Sequence, residues 1–173
     1  MSPIKRCEII QQPCKGDIII HPAMSQSLTK LYVHLVFSTK NRADLIPRDK
    51  MADVFSYIAG LLENVQCPAI RVGGTANHVH ILFVQSKTMS ISDIVRLVKS
   101  NSSKWISAWP GHRVPFSWQD GYGAFSISQS HVDDVSHYIQ NQEEHHAHLS
   151  FQDELRRICD KYGVNLDDKY AWE

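Results

Sequence analysis

Runs of β-forming residues, most of them alternating between apolar and polar side chains, predict four β-strands. The predicted strands cover residues 31–38, 70–72, 78–84 and 122–128. Apolar residues at a spacing of three to four predict one helix over residues 51–65 and another over residues 91–105. Gly73 and Gly74 form a turn signal, so we expect the second strand to end before them.

Two capping signals predict helices after the fourth strand. Ser130 with Asp133 resembles a capping box and predicts a helix from about residue 131 to residue 147. Ser150 with Asp153 repeats the signal for a last helix, which Gly163 would end. The first of these helices carries a tyrosine and a glutamine four residues apart, and such residues share one helix face.

The order of the first six elements, βαββαβ, matches the ferredoxin-like arrangement, an α+β fold with an antiparallel sheet. In this arrangement the first and third strands are neighbours at the sheet centre, both helices cover one face, and the other face stays open. Strand alternation places an apolar set beneath the helices, namely Leu31, Val33, Leu35, Phe37, Val79, Ile81 and Phe83. The open face is then expected to carry Tyr32, His34, His78 and His80.

Composition limits the class of protein. The 173 residues are 43% hydrophobic and 21% charged, as in globular proteins. No window approaches the ~20 consecutive apolar residues of a membrane span, and the N-terminus lacks a secretory signal pattern. The spacing of the four cysteines favours neither a disulfide framework nor a zinc site, which fits a reducing cytoplasm. We expect an N-terminal extension at residues 1–23, a main domain at 24–149 and an acidic helix and tail at 150–173.

Charge is distributed unevenly although the net charge is zero. Residues 24–113 carry eleven basic and five acidic side chains, whereas residues 114–173 carry four basic and eleven acidic ones. The first part could therefore bind a polyanion while the acidic part faces solvent. An ordinary solvated surface remains the alternative.

Two pairs of residues suggest chemistry. His78 and His80 lie two apart on a strand, so both imidazoles project to one side and could share a divalent metal. Gln142 offers a carbonyl oxygen suited to Mg²⁺ or Mn²⁺, and Tyr138 offers a phenol that could attack a phosphodiester polarised by that metal. A chance pairing among ten histidines and a tyrosine in the core are the alternatives.

Four stretches in order across residues 28–148 resemble the insertion-sequence-200-like transposases. This is the single-tyrosine family with a histidine–hydrophobic–histidine (HUH) motif, whose relatives include the REP-associated tyrosine transposases. The stretches are YVHLVFSTK at residues 32–40, NHVHIL at 77–82, WQDGYGAFSIS at 118–128 and YIQNQEEHH at 138–146. Residues 1–23 have no counterpart that we recognise in the family pattern.

The resemblance implies a transposase that cleaves and rejoins single-stranded DNA by transesterification, through a 5′-phosphotyrosine intermediate. When the roles of the family's motif residues are carried over to this sequence, Tyr138 is the nucleophile, while His78, His80 and Gln142 hold Mg²⁺ or Mn²⁺. The resemblance also implies a homodimer that binds hairpins at element ends, with the tyrosine helix serving either its own chain or the partner. Whether the protein moves an element or has been domesticated for a chromosomal role stays open.

Six basic residues are candidates for DNA contacts, with a solvated surface as the alternative for each: Lys40, Arg42, Arg71, Arg96, Lys99 and Lys104. Two other functions compete with strand transfer. A non-catalytic ferredoxin-like module could bind single-stranded nucleic acid through its sheet, although that mode needs exposed aromatic residues where this sheet has histidines. A metal hydrolase could use the two histidines with water, but it leaves the tyrosine and glutamine unexplained.

Overall fold

The computed structural model describes residues 27–111, 116–146 and 149–167, so the predicted extension at residues 1–23 lies outside the described residues. The strands are β1 (Tyr32–Ser38), β2 (Ala69–Thr75), β3 (His78–Val84) and β4 (Gly123–Ile127). The helices are α1 (Met51–Glu63), α2 (Ile91–Ser107), α3 (Val132–Gln140), α4 (Gln142–His145) and α5 (Phe151–Lys161). None of the helices in these ranges is long and apolar enough to cross a membrane.

The four strands form one antiparallel sheet in the order β2-β3-β1-β4. This order places β1 and β3 at the centre and confirms the predicted ferredoxin-like α+β fold. Val36 of β1 pairs with His80 of β3, and Ser38 pairs with His78. The two histidines therefore lie on a central strand, held by neighbours on both sides.

The face covered by α1 and α2 forms the main core, as the alternation predicts. Leu35, Phe37, Val79, Ile81 and Phe83 are all at most 2% exposed there. These side chains occupy alternate positions of the two central strands, which is why His78 and His80 point to the opposite face. Leu31 is the exception among the predicted core residues, because it precedes β1 and is 59% exposed.

The opposite face is not open, contrary to the expectation from the sequence. Helix α3 packs on it through Val135 and Ile139, which belong to one apolar cluster with Leu82 and Ile127 of the sheet. Helix α5 covers the neighbouring part of the same face through an apolar cluster of Val36, Phe125, Phe151, Ile158 and Cys159. The histidines of this face are therefore buried under three C-terminal helices instead of lining an exposed surface.

Three local predictions are wrong. Strand β2 continues through Gly73 to Thr75, because its pairing with β3 extends to Thr75 opposite His78. The missing side chain at position 73 lets the backbone of α3 approach the strand there. The predicted helix over 131–147 is divided at Asn141, whose φ and ψ of −99° and 23° are not helical. Ser130 does not cap it but lies in a 3₁₀ turn, whereas Ser150 caps α5 as predicted, its Oγ accepting from the Asp153 amide at 3.2 Å.

Candidate active site

His78 is held by its neighbour Asn77. The Nδ1 atom of His78 lies 2.7 Å from Asn77 Oδ1, and the Asn77 amide nitrogen donates to Asp44 at 2.9 Å. Because that second bond turns the Asn77 oxygen toward the ring, we assign the proton of His78 to Nδ1. The Nε2 lone pair of His78 then points into the cluster beneath α4, in the form that binds a metal.

His80 is held in the same way by His34. The Nδ1 atom of His80 lies 3.0 Å from His34 Nε2. The Nε2 atom of His80 is fully buried and has no hydrogen-bond partner among the described residues, although Glu154 Oε1 lies 3.3 Å away. A buried polar atom without a hydrogen bond requires an explanation, and an imidazole nitrogen in that state is suited to ligate a cation.

Burial keeps two of the imidazoles neutral. It lowers the pKa of His78 to about 3, and the neighbouring His80 acts in the same direction. Burial likewise lowers the pKa of His34 to about 3, again with His80 as the second cause. Since only the neutral imidazole binds a metal ion, the environment of His78 favours metal ligation at neutral pH.

Gln142 and Tyr138 reach the histidines from the helices above the sheet. Gln142, at the start of α4 and 1% exposed, places its Oε1 at 3.2 Å from His78 Nε2. The ring of Tyr138, on α3, lies 5.8 Å from the ring of His80 between centroids. The four residues predicted from the sequence therefore form one cluster within a single chain.

Glu154 is a fifth member of the cluster, and it was not predicted from the sequence. It lies on α5 and is 1% exposed. Its Oε1 accepts hydrogen bonds from the Tyr138 hydroxyl and from Gln142 Nε2, and its Oε2 lies 2.9 Å from His146 Nε2. Ligand atoms of His78, His80 and Glu154 all lie within 4.8 Å of one another, an arrangement that could hold a metal ion.

The sequence contains a signal for Glu154. It lies three residues after Phe151 and four before Ile158, which places it on the buried apolar face of α5. A carboxylate on such a face is rarely left without partners.

The carboxylate and the phenol influence each other. Burial by itself would raise the pKa of Glu154, but the hydrogen bond from His146 and the further contacts of the cluster outweigh it and lower that pKa well below its usual range. Burial, followed by the charge of Glu154, raises the pKa of Tyr138 well above its usual range. The site thus contains an ionised carboxylate beside a protonated phenol.

The six candidate DNA-binding residues lie in different places. Arg42 lines a cleft with Asn77 and His146 at the edge of the cluster, and Arg71 on β2 donates to Ser136 of α3. The other candidates are engaged elsewhere or lie on α2, across the sheet from the cluster. Lys40 pairs with Asp120, Arg96 pairs with Asp93, Lys99 donates to the carbonyls of residues 119–121, and Lys104 is exposed on α2.

A family model described as "Transposase IS200 like" matches residues 27–142 of this chain. The matched segment includes His78, His80, Tyr138 and Gln142 and ends before α5. A search of curated protein sequences gives no match.

Two solved structures share the fold. A candidate transposase from Deinococcus radiodurans R1 has a TM-score of 0.53 and 19% sequence identity, over 67% of this chain and 93% of that one. A REP-associated tyrosine transposase bound to a REP hairpin has a TM-score of 0.54 and 12% identity, over 72% of this chain and 73% of that one. At these identities the likeness is one of fold.

Proposed function

Because the chain belongs to the IS200-like transposase family, we propose that it cleaves and rejoins single-stranded DNA with Tyr138 as the nucleophile. The observation that carries this proposal is the placement of Tyr138 in one cluster with the two histidines and Gln142, where its hydroxyl donates to Glu154. A tyrosine that served only packing would have no need of such polar neighbours, and a water-using hydrolase would not need the tyrosine.

The proposed reaction exchanges one phosphoester for another. The phenol oxygen of Tyr138 attacks phosphorus, the bond from phosphorus to the 3′ oxygen breaks, and the proton that leaves the phenol is transferred, directly or through solvent, to the leaving 3′ oxygen. The 5′ phosphate is then bonded to the tyrosine, and a later 3′-hydroxyl reverses the exchange at another junction. Because a phosphodiester is conserved at each step, the reaction needs no external energy source.

We propose that His78, His80 and Gln142 hold Mg²⁺ or Mn²⁺. The residues fit such an ion, because the buried Nε2 of His80 has no hydrogen-bond partner among the described residues and the assigned Nε2 lone pair of His78 faces the Gln142 oxygen. The chemistry that the ion supplies when bound is Lewis-acid polarisation of the phosphate oxygens.

The proposed DNA substrate is a single strand with hairpins, since one neighbour of the same fold is described as bound to a REP hairpin. A cavity of about 360 Å³ beside Tyr138 is lined by His34, Asp134, Glu154 and Arg157, among other residues, and its volume lies in the range of ligand sites, roughly 300–1,000 Å³. Arg42 and Arg71 are the basic candidates nearest the cluster. We place this activity in the cytoplasm and assign it to residues 24–149.

We further propose that Tyr138 acts in its own chain. The cluster contains the phenol, both imidazoles and the carboxamide of one chain, so a trans arrangement is not needed to complete it. The homodimer then serves to bring two DNA ends together, while each subunit supplies a whole site.

The test uses single strands carrying the imperfect palindromes that flank the gene, labelled at both ends with different dyes. With Mn²⁺ present, we expect the 3′-labelled fragment to migrate with the protein on a denaturing gel and the 5′-labelled fragment to be released. Tyr138→Phe should abolish the adduct and leave DNA binding within about twofold. Tyr57→Phe is the matched control, because Tyr57 stacks on Trp105 at the opposite face of the sheet.

Three outcomes would contradict the proposal. An adduct that survives Tyr138→Phe would assign the nucleophile elsewhere. Cleavage without any adduct would indicate a metal hydrolase that uses water. Binding without cleavage, at any of these strands and with either metal, would indicate a non-catalytic module.

A further inference from the structure

We propose that Glu154 is itself a ligand of the divalent metal, so that α5 completes the site formed by the two histidines and Gln142. The inference rests on the metal site of the proposed function. It adds a residue that lies beyond the segment matched by the family model, which ends at residue 142.

The distances between donor atoms support shared coordination. Adjacent ligands of an octahedral ion with bonds of about 2.1 Å lie roughly 3 Å apart. Glu154 Oε1 lies 3.3 Å from His80 Nε2, Glu154 Oε2 lies 3.6 Å from His78 Nε2, and Gln142 Oε1 lies 3.2 Å from His78 Nε2. Small side-chain adjustments would bring these atoms to the spacing of a common coordination sphere.

With the proton of His80 on Nδ1, as for His78, the electrostatics of the cluster favour a cation at the same place. With the proton of His78 on Nδ1, its Nε2 lone pair faces a carboxylate oxygen and an amide oxygen. The unpartnered Nε2 of His80 faces the other carboxylate oxygen. Lone pairs that converge in a buried space repel one another, and a cation between them converts that repulsion into attraction.

The fold fixes the position of the carboxylate. The rotation of α5 about its own axis is set by Phe151 and Ile158, which share an apolar cluster with Val36 and Phe125 of the sheet. The remaining lone pairs of the carboxylate are taken by Tyr138, Gln142 and His146, as expected for a ligand oriented by an outer shell of hydrogen bonds. Glu154 thus links the metal site and the nucleophile through a single side chain.

Mn²⁺ binding to the whole chain tests this assignment without DNA. Free Mn²⁺ is followed by its electron paramagnetic resonance signal during titration of wild type, Glu154→Gln, Asp160→Asn and His80→Ala. Glu154→Gln should weaken Mn²⁺ binding by ~10-fold or more, since even outer-shell changes at metal sites cost about 10–100-fold. Asp160→Asn is the matched control, because it removes the same charge from an exposed position of the same helix and should leave affinity unchanged.

Thermal melts with and without Mn²⁺ separate ligation from a structural role. If Glu154 is a ligand, Mn²⁺ should raise the melting temperature of wild type and Asp160→Asn more than that of Glu154→Gln. If it only supports the fold, Glu154→Gln would melt lower in both conditions and bind Mn²⁺ as wild type does, which would overturn the proposal.

Tighter Mn²⁺ binding by Glu154→Gln would also overturn the proposal. It would show that the carboxylate hinders metal binding, by occupying the other ligands of the site, instead of coordinating the ion. Wild type that binds no Mn²⁺ overturns it as well. The adduct assay keeps these failures distinct from that of the proposed function. A Tyr138-dependent adduct together with unchanged Mn²⁺ affinity in Glu154→Gln would refute only the assignment of Glu154.

Discussion

Replacing Gly73 by alanine tests whether the close approach of β2 and α3 positions the nucleophile. A Cβ at position 73 would lie 2.5 Å from the Ile139 carbonyl oxygen and 2.8 Å from its Cγ2, whereas ordinary contacts begin near 3.4 Å. Helix α3 would have to move away by roughly 1 Å to restore van der Waals contact. Since Ile139 directly follows Tyr138, the phenol would move with it.

Two consequences should be measurable. Overpacking of this kind typically costs ~1–3 kcal/mol, so urea unfolding should show that loss in the free energy of unfolding. A misplacement of about 1 Å can slow a reaction on the order of 100-fold, so we expect the single-turnover rate of adduct formation to fall by about that factor.

Gly60→Ala is the matched control for this substitution. Gly60 lies inside α1, and a Cβ added there would meet no other atom within 4 Å, so alanine should raise the unfolding free energy by ~0.5–1 kcal/mol through helix propensity. It should leave adduct formation unchanged. A Gly73→Ala protein with wild-type stability and rate would show that the contact with Ile139 neither strains the fold nor positions the phenol.

Three further predictions concern the location of the site within one chain, the orientation of His78 and a buried hydrogen bond of the core. A mixture of Tyr138→Phe and His80→Ala proteins should form no adduct on a denaturing gel, because each chain lacks one part of a site that lies within one chain; recovered adduct would indicate action in trans. Asn77→Ala should weaken Mn²⁺ binding by ~10-fold in the same titration, because it removes the closer of the two oxygens that orient the adjacent imidazole, the other being Thr75 Oγ1 at 2.9 Å. Ser102→Ala should lower the unfolding free energy by ~1–3 kcal/mol in urea, because it leaves the buried Trp118 indole donor without its acceptor, while Mn²⁺ affinity stays unchanged.

Local pattern was sufficient to predict the sheet and the helices of its first face. The run at residues 78–84 is entirely apolar except for two histidines, and β3 has the predicted bounds. The sequence pattern failed where a contact between distant elements determines the local structure. At Gly73 the pattern indicated a turn, whereas the glycine lies in a strand and packs closely against Ile139. The pattern failed again at Asn141, because residues 140–146 read QNQEEHH and carry no apolar position that could report the break in the backbone.

The covered second face could be anticipated only from the C-terminal helices taken together. Helices α3 and α5 each have an apolar side that must be buried, and the sheet has one face that α1 and α2 leave free. An acidic segment at residues 150–173 that faced solvent, as the charge distribution suggests, would leave this face without its second helix. The expected open face was wrong for that reason, even though α5 and its cap were predicted.

Glu154 differs from the other acidic residues of this segment in its burial, which a sum of charges does not register. A sum over residues 114–173 assigns equal weight to eleven acidic side chains, yet one of the described ones is 1% exposed and the others are not buried. The cost of desolvating a carboxylate far exceeds the effect of one more charge on a solvated surface, so the position of that carboxylate matters more than the sum. An acidic residue on the apolar side of an amphipathic helix therefore argues for strong donors or a bound cation opposite it. In this chain Tyr138, Gln142 and His146 supply the donors, and two imidazoles of the central strand lie beside the carboxylate.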